Sequence, residues 1–129
     1  MLGTHWIADA EGCAPDRLTY ERVANALLEI PKCLGLTVVS PPQVHHDPKT
    51  GIAGIVLLAE SHFSIHCVPG EMALHVDLFS CREFSTTAAK RWLSDAFRAG
   101  AWSESYVPRR EGSGARKVRK PDVEIREKS

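Results

Sequence analysis

Residues 55–66 read Ile-Val-Leu-Leu-Ala-Glu-Ser-His-Phe-Ser-Ile-His. An apolar run enters directly on an acid, a hydroxyl and an imidazole, and apolar and polar residues then alternate as far as His66. Alternation with a period of two is the mark of a strand with one face to a core and one face away from it. No Gly, Pro or Asn in the stretch offers a surface loop as the reason for its polar residues. A buried-looking strand that breaks on Glu60, Ser61 and His62 therefore constrains both the fold and the chemistry.

The rest of the chain supplies the other elements of a layered fold. Thr4–Ala10 reads as a short strand, followed by a turn at Glu11–Pro15. Asp16 or Thr19 can cap a helix that runs to about Ile30, with Leu18, Val23, Ala26, Leu27 and Ile30 on one face and Pro31 ending it. Leu34–Ser40 reads as a second strand. Pro41-Pro42 and Asp47–Gly51 bracket a loop that carries His45 and His46. Ile52–Ala59 is a third strand, continued or followed by Phe63–Cys67. Ala73–Ser80 is a further strand after a Pro69-Gly70 turn, and Thr86–Ala99 is a second helix with Ala89, Trp92, Leu93 and Phe97 inward. The order suggests an α+β layer, with helices on one face of an antiparallel sheet. The other sheet face then needs a partner.

With 129 residues, of which 43% are hydrophobic, the chain has enough apolar material for one core. No apolar run reaches the eighteen or so residues of a membrane span. The opening "MLGTHWIADAEGC" has no basic region followed by an apolar one, so a cytoplasmic protein is expected. Cys13, Cys33, Cys67 and Cys81 form no C-x-x-C pair and are expected as free thiols. Net charge is zero but uneven, because residues 107–129 hold eight Lys/Arg against four Asp/Glu. That segment is almost free of apolar residues. It is read as a solvated, disordered tail to a 1–106 domain rather than as a nucleic-acid arm.

A serine at Glu60-Ser61 can attack the carbonyl before it. The peptide becomes an ester, a base removes the serine Cα proton, and elimination leaves a dehydroalanine that hydrolyses to a pyruvoyl group. The new ketone can form a Schiff base with a substrate amine and act as an electron sink. Such chemistry needs a base and a proton donor, and His66 and Cys81 are available.

The block "GIAGIVLLAESHFSIHCVPGEMALHVDLFSC", with the opening "THWIADAEGC", resembles the S-adenosylmethionine decarboxylase family of the prokaryotic class. The specific part is A-E-S-H-x-x-I-H with V-D-x-F-x-C downstream, and the likeness covers about residues 3–99. The resemblance implies a self-processing pyruvoyl enzyme of polyamine biosynthesis. Cleavage would fall between Glu60 and Ser61, with Ser61 as the pyruvoyl precursor, His66 as the processing base and Cys81 as the catalytic proton donor. It also implies a two-layer α/β sandwich that dimerises, with active sites near the dimer interface. His62 matches the block without a definite role. His45, His46 and His75 are read as solvated or structural. No metal is expected; a site from His62, His66, Cys67 and Cys81 is the discounted alternative.

Departures from the family pattern gather where it binds the nucleoside. Asp47 stands where the family has a stacking Phe. Val68 replaces a Trp, and Gly70 replaces a carboxylate, with Glu71 one residue on as its substitute. A stacked base is worth roughly 1–3 kcal/mol, and a pocket-facing carboxylate suits a guanidinium or an ammonium. Members of the family have shifted to such substrates. The small-molecule substrate is therefore expected to be L-arginine or L-ornithine, held by Asp47, Val68 and Glu71, with S-adenosylmethionine as the alternative. Ala53 stands eight residues before Ser61, where the family has a processing Ser. Thr50 or Ser64 can supply that hydroxyl; otherwise a non-processing regulatory homologue is the competing class.

Overall fold

The structure, a computed structural model, describes residues 2–110. Residues 111–129, and most of the segment read as a tail, lie outside the described residues. Six strands form one antiparallel sheet: β1 (Leu2–Glu11), β2 (Gln43–Asp47), β3 (Gly51–Leu57), β4 (Ser61–Val68), β5 (Ala73–Ser80) and β6 (Ala101–Arg110), in the order β2-β3-β4-β5-β1-β6. Helices α1 (Tyr20–Cys33) and α2 (Thr86–Phe97) complete an α+β sandwich.

The period-two pattern places the core. Trp6, Phe63, Ile65, Leu74, Val76 and Leu78 are buried together with Val23, Leu27 and Ile30 of α1 and Leu93 and Phe97 of α2. Their sequence neighbours point the other way. Val56 is 1% exposed, whereas Ile55 and Leu57 are 44% and 55% exposed, so the second sheet face is uncovered. That face carries His5, Asp9, His66, His75 and Asp77, alternating with the buried residues.

Helix α1 starts where its cap is. The Thr19 hydroxyl accepts the Arg22 N–H at 3.2 Å. The helix does not stop at Pro31 but runs on to Cys33. Proline costs a helix the N–H it lacks and crowds the carbonyl one turn back. The burial of the Pro31 ring works against that cost. The end is a Schellman closure. Gly35 takes φ +75°, the Leu36 N–H donates to the Pro31 carbonyl at 2.8 Å, and the Gly35 N–H donates to Lys32.

Three further expectations are corrected. Leu34–Ser40 is not a strand but an extended strap with a single bridge, Val38 to Leu58. Its apolar alternation comes from lying over the core, where Leu36 is buried. Residues 43–47 are not a loop but the edge strand β2, paired with β3 from Gln43↔Ile55 to Asp47↔Gly51. A polar edge strand gives no periodic signal. Strand β6, unforeseen, pairs with β1 from Leu2↔Arg110 to Glu11↔Ala101 and takes in residues 107–110.

Candidate active site

The Glu-Ser-His break proves to be a reversal of the chain. The Leu58 N–H donates to the Ser61 carbonyl at 2.8 Å and the Ser61 N–H to the Leu58 carbonyl at 3.2 Å. Ala59 and Glu60 are thus the two residues of a tight hairpin between β3 and β4. Neither has positive φ, which excludes the primed turns and explains why the turn needs no Gly or Asn. The bond between Glu60 and Ser61 lies at the exit of this turn.

Glu60 is held at three points. Its carbonyl accepts the Cys81 backbone N–H at 3.2 Å. Its carboxylate accepts the Thr37 N–H at 3.0 Å and the Arg82 guanidinium at 3.3 Å. The Thr37 N–H is the chief cause, with Arg82 adding to it, that holds the Glu60 carboxyl below its ordinary value. The strap is fixed to the same turn, since the Ala59 N–H donates to Thr37 at 2.8 Å and the Val39 N–H to Leu57 at 3.2 Å.

Ser61 Oγ lies 3.0 Å from His62 Nδ1. Ser61 is also registered against Ser80, which brings Cys81 beside it at the end of β5. Cys81 is an exposed free thiol. It lines a small cavity of about 270 Å³ with Thr4, Ser80, Arg82 and Arg109. The arrangement presents a nucleophile, a neighbouring imidazole and a backbone donor on the carbonyl to be attacked, which suits acyl transfer at Glu60.

The other sequence-derived residues are elsewhere. His66 is five residues further along β4, roughly 16 Å at about 3.3 Å per residue, and registers with Ala53 and His75. Its Nε2 lies 2.8 Å from the Thr50 carbonyl. Nε2 therefore donates and Nδ1 keeps the free lone pair. His66 opens on a cavity of about 740 Å³ on the uncovered face, shared with His45, Ala53, Ser64, His75 and Asp77. Ser64 is thus the hydroxyl beside His66 that Ala53 lacks.

Asp47, Val68 and Glu71 belong to this far end too, since Val68 closes β4. Asp47 Oδ1 accepts the Lys49 and Thr50 N–H groups at 2.7 and 3.2 Å. Those two backbone donors hold its carboxyl below the ordinary value. The Asp47 carboxylate closes the β2–β3 turn and does not line the cavity. Gly70 has open space where a side chain would be, and Glu71 ends a 3-10 turn over Pro69–Glu71.

Sequence reasoning missed the carboxylate of Glu60, whose partners Thr37 and Arg82 are 23 and 22 residues away. It also missed two imidazole–carboxylate pairs on the uncovered face. His75 Nδ1 lies 2.6 Å from Asp9 Oδ1, and His5 Nε2 lies 3.1 Å from Asp77 Oδ1. The alternation of His75 and Asp77 within β5 was the available signal. The discounted metal set is dispersed, because Cys67 is buried on the helix side and Cys81 is at the opposite end of the strands from His66.

A family model described as S-adenosylmethionine decarboxylase matches residues 4–110. The chain is 35% identical over 98 residues to an S-adenosylmethionine decarboxylase proenzyme of Thermodesulfovibrio yellowstonii, covering 74% of this chain and 72% of the relative. It is 26% identical over 125 residues to S-adenosylmethionine decarboxylase proenzyme 2 of Halalkalibacterium halodurans, covering 96% and 97%. Among solved structures it resembles the adenosylmethionine decarboxylase of Aquifex aeolicus, with a TM-score of 0.74 and 28% identity over 88% of this chain and 97% of that one.

Proposed function

The chain belongs to the S-adenosylmethionine decarboxylase family, and from that premise we propose that it cuts itself between Glu60 and Ser61 and decarboxylates S-adenosylmethionine. It is a pyruvoyl-dependent decarboxylase made as a proenzyme. We infer that Ser61 is the source of the pyruvoyl group. The observation that carries it is the Glu60 carbonyl on the Cys81 N–H, with the Ser61 hydroxyl beside it.

The residues fit the group. Ser61 Oγ adds to the Glu60 carbonyl, and the oxyanion forms on the oxygen that already accepts the Cys81 N–H. Collapse breaks the Glu60–Ser61 C–N bond and leaves an ester. Loss of the Ser61 Cα proton to His66 expels the main-chain carboxylate newly formed at residue 60, and water then displaces ammonia from the remaining end. The pyruvoyl ketone supplies an electron sink for the carboxylate-bearing carbon. The Cys81 thiol, exposed at the same end, returns a proton to that carbon once carbon dioxide has left.

His66 lies too far along β4 to reach Ser61 of its own chain. A second copy, laid antiparallel with uncovered face to uncovered face, brings its His66 cavity over the Ser61 end. The homodimer is therefore part of the proposal, and each site takes Ser61 and Cys81 from one copy and His66 from the other. The four cysteines are unpaired, as a reducing cytoplasm keeps them. Among the described residues no helix is long and apolar enough to cross a membrane.

For the substrate, the names of the relatives favour S-adenosylmethionine. The Asp47 argument for a cationic amino acid is weakened, since that carboxylate is engaged in its own turn. L-arginine or L-ornithine stays the second reading on one observation: Gly70 leaves open space where the family pattern has a carboxylate, and Val68 is no aromatic. The test is carbon dioxide release from carboxyl-labelled S-adenosylmethionine, L-arginine and L-ornithine, with Ser61→Ala as the blank, after intact mass shows two chains rather than one of 14.2 kDa. Release from S-adenosylmethionine alone is expected. Release only from a basic amino acid reverses the substrate assignment, and a permanently uncut chain overturns the enzyme reading of Ser61.

A further inference from the structure

We propose that His62 is the acid–base catalyst of the self-cleavage step, taking the Ser61 hydroxyl proton at Nδ1 and delivering it to the Ser61 nitrogen. The inference rests on the reading of Ser61 as the nucleophile and deepens it. Two proton abstractions separate the intact peptide from the eliminated chain. The first activates the hydroxyl and the second removes the Cα proton. His66 is assigned the second: within one chain it lies roughly 16 Å along the strand from Ser61 with its Nε2 on Thr50, so it reaches that residue only when a second copy docks, whereas His62 touches the hydroxyl within its own chain.

The first transfer needs a base already touching Oγ. His62 Nδ1 is 3.0 Å from it, within the range of a working nucleophile–base pair. With its own proton on Nε2, the ring accepts the Oγ–H. No other described group qualifies. The Glu60 carboxylate is spent on Thr37 and Arg82, and Cys81 meets Glu60 through its backbone N–H.

The ring is also positioned. Its centroid is 5.9 Å from that of Phe79 in a tilted contact. Phe79 is in turn covered by the Arg109 guanidinium at 4.6 Å from the ring centroid, and meets His5 edge-on at 6.4 Å. Gly3 makes room for it, since a Cβ there would lie 2.7 Å from two Phe79 ring atoms.

The step balances without a further reactant. Oγ bonds to the Glu60 carbonyl carbon while its proton passes to Nδ1, and the charge on the carbonyl oxygen is held by the Cys81 N–H. When the tetrahedral carbon collapses, the C–N bond breaks and the Nδ1 proton goes to the leaving nitrogen. His62 returns to its starting state, with an ester where the peptide was.

The test follows freshly translated chain by intact mass, with hydroxylamine to cut any ester and circular dichroism to score folding. His62→Ala is expected to cleave at least roughly 10²-fold more slowly, the lower end for a proton-transfer catalyst. It should remain insensitive to hydroxylamine, and imidazole in the buffer should restore cleavage. His62→Gln keeps size and polarity, decides the matter if the alanine variant does not fold, and should behave alike. His66→Ala, by contrast, should accumulate hydroxylamine-sensitive chain. Wild-type cleavage in folded His62→Gln overturns the proposal, as does a hydroxylamine-sensitive His62 variant, which would put the residue after the attack. An unvarying 14.2 kDa wild-type chain would instead sink the reading of Ser61 itself.

Discussion

The Cys81 backbone N–H donates to the Glu60 carbonyl at 3.2 Å, which ties the end of β5 to the bond that the chain is proposed to cut. The bond polarises that carbonyl before any substrate is present. The Glu60 carboxylate anchors the same residue from its other side. Because Arg82 is 60% exposed, its ion pair adds little to stability, and its effect falls on geometry.

Glu60→Ala is therefore expected to slow self-cleavage roughly tenfold or more, on the scale of small misplacements of reacting groups, with little change in melting temperature. Arg82→Ala should act in the same direction and Arg82→Lys less. Timed intact-mass measurement decides it, and cleavage at the wild-type rate in Glu60→Ala sinks the clamp.

The Glu60 carboxyl sits below its ordinary value of 4.5, so the folded state favours its charged form. That contribution is present above pH 4.5 and is lost as the pH falls through the lowered folded value. A cleavage profile between pH 5 and 8 should therefore carry no limb from Glu60. An acid limb in that range that vanishes in Glu60→Gln contradicts the assignment.

The composite site predicts complementation. Ser61→Ala and His66→Ala chains, each defective alone, should yield one complete site per mixed dimer when co-expressed. Mixed protein should regain up to half the wild-type activity per dimer. No recovery in verified mixed dimers would place both residues in one chain's site.

Burial pushes the Cys67 thiol up to about 12, with Cys13 nearby adding to it. The folded state holds this thiol neutral. Its contribution is intact below the ordinary value of 9.0 and falls as pH rises towards about 12. Iodoacetamide at pH 8 should label Cys33 and Cys81, which are exposed, and spare Cys13 and Cys67. Labelling of native Cys67 would show that end of the sheet to be open.

Gly51→Ala tests the β2–β3 turn. Gly51 takes φ +102°, and a Cβ would run into the Cys67 carbonyl. A loss of about 1–3 kcal/mol, or more if the backbone cannot move, is expected. Thermal or urea unfolding checks it, and an unchanged midpoint would deny the close approach of β3 to β4.

Legibility followed the strength of the periodic signal. Strand β5 reads to the residue as Ala73–Ser80, because Leu74, Val76 and Leu78 alternate with His75, Asp77 and Phe79. Strands β2 and β6 were lost for the opposite reason. Each lies at a sheet edge, and β2 is mostly exposed and polar. Ser61, His66 and Cys81 could be singled out because a specific block surrounds them. Their separation along the strands could not, since spacing along a chain does not say which end of a sheet a residue reaches. Asp47 illustrates the limit. Its charge suggested a ligand, and only its two backbone partners show it occupied within its own turn.

The strand order has a bearing on how the molecule comes into being. Strand β1 belongs to the piece that would end at Glu60, yet it lies between β5 and β6 of the other piece. The pair β3–β4 straddles the cut as well. The two products are thus interleaved, and neither can depart without dismantling the sheet. Before the cut, folding is a first-order event of one chain. After it, reassembly from the denatured state becomes second order and concentration-dependent, with an end at Ser61 that no fresh serine can replace. The uncut chain is the form in which this architecture can be built, and the cut protein is a form that can only be kept.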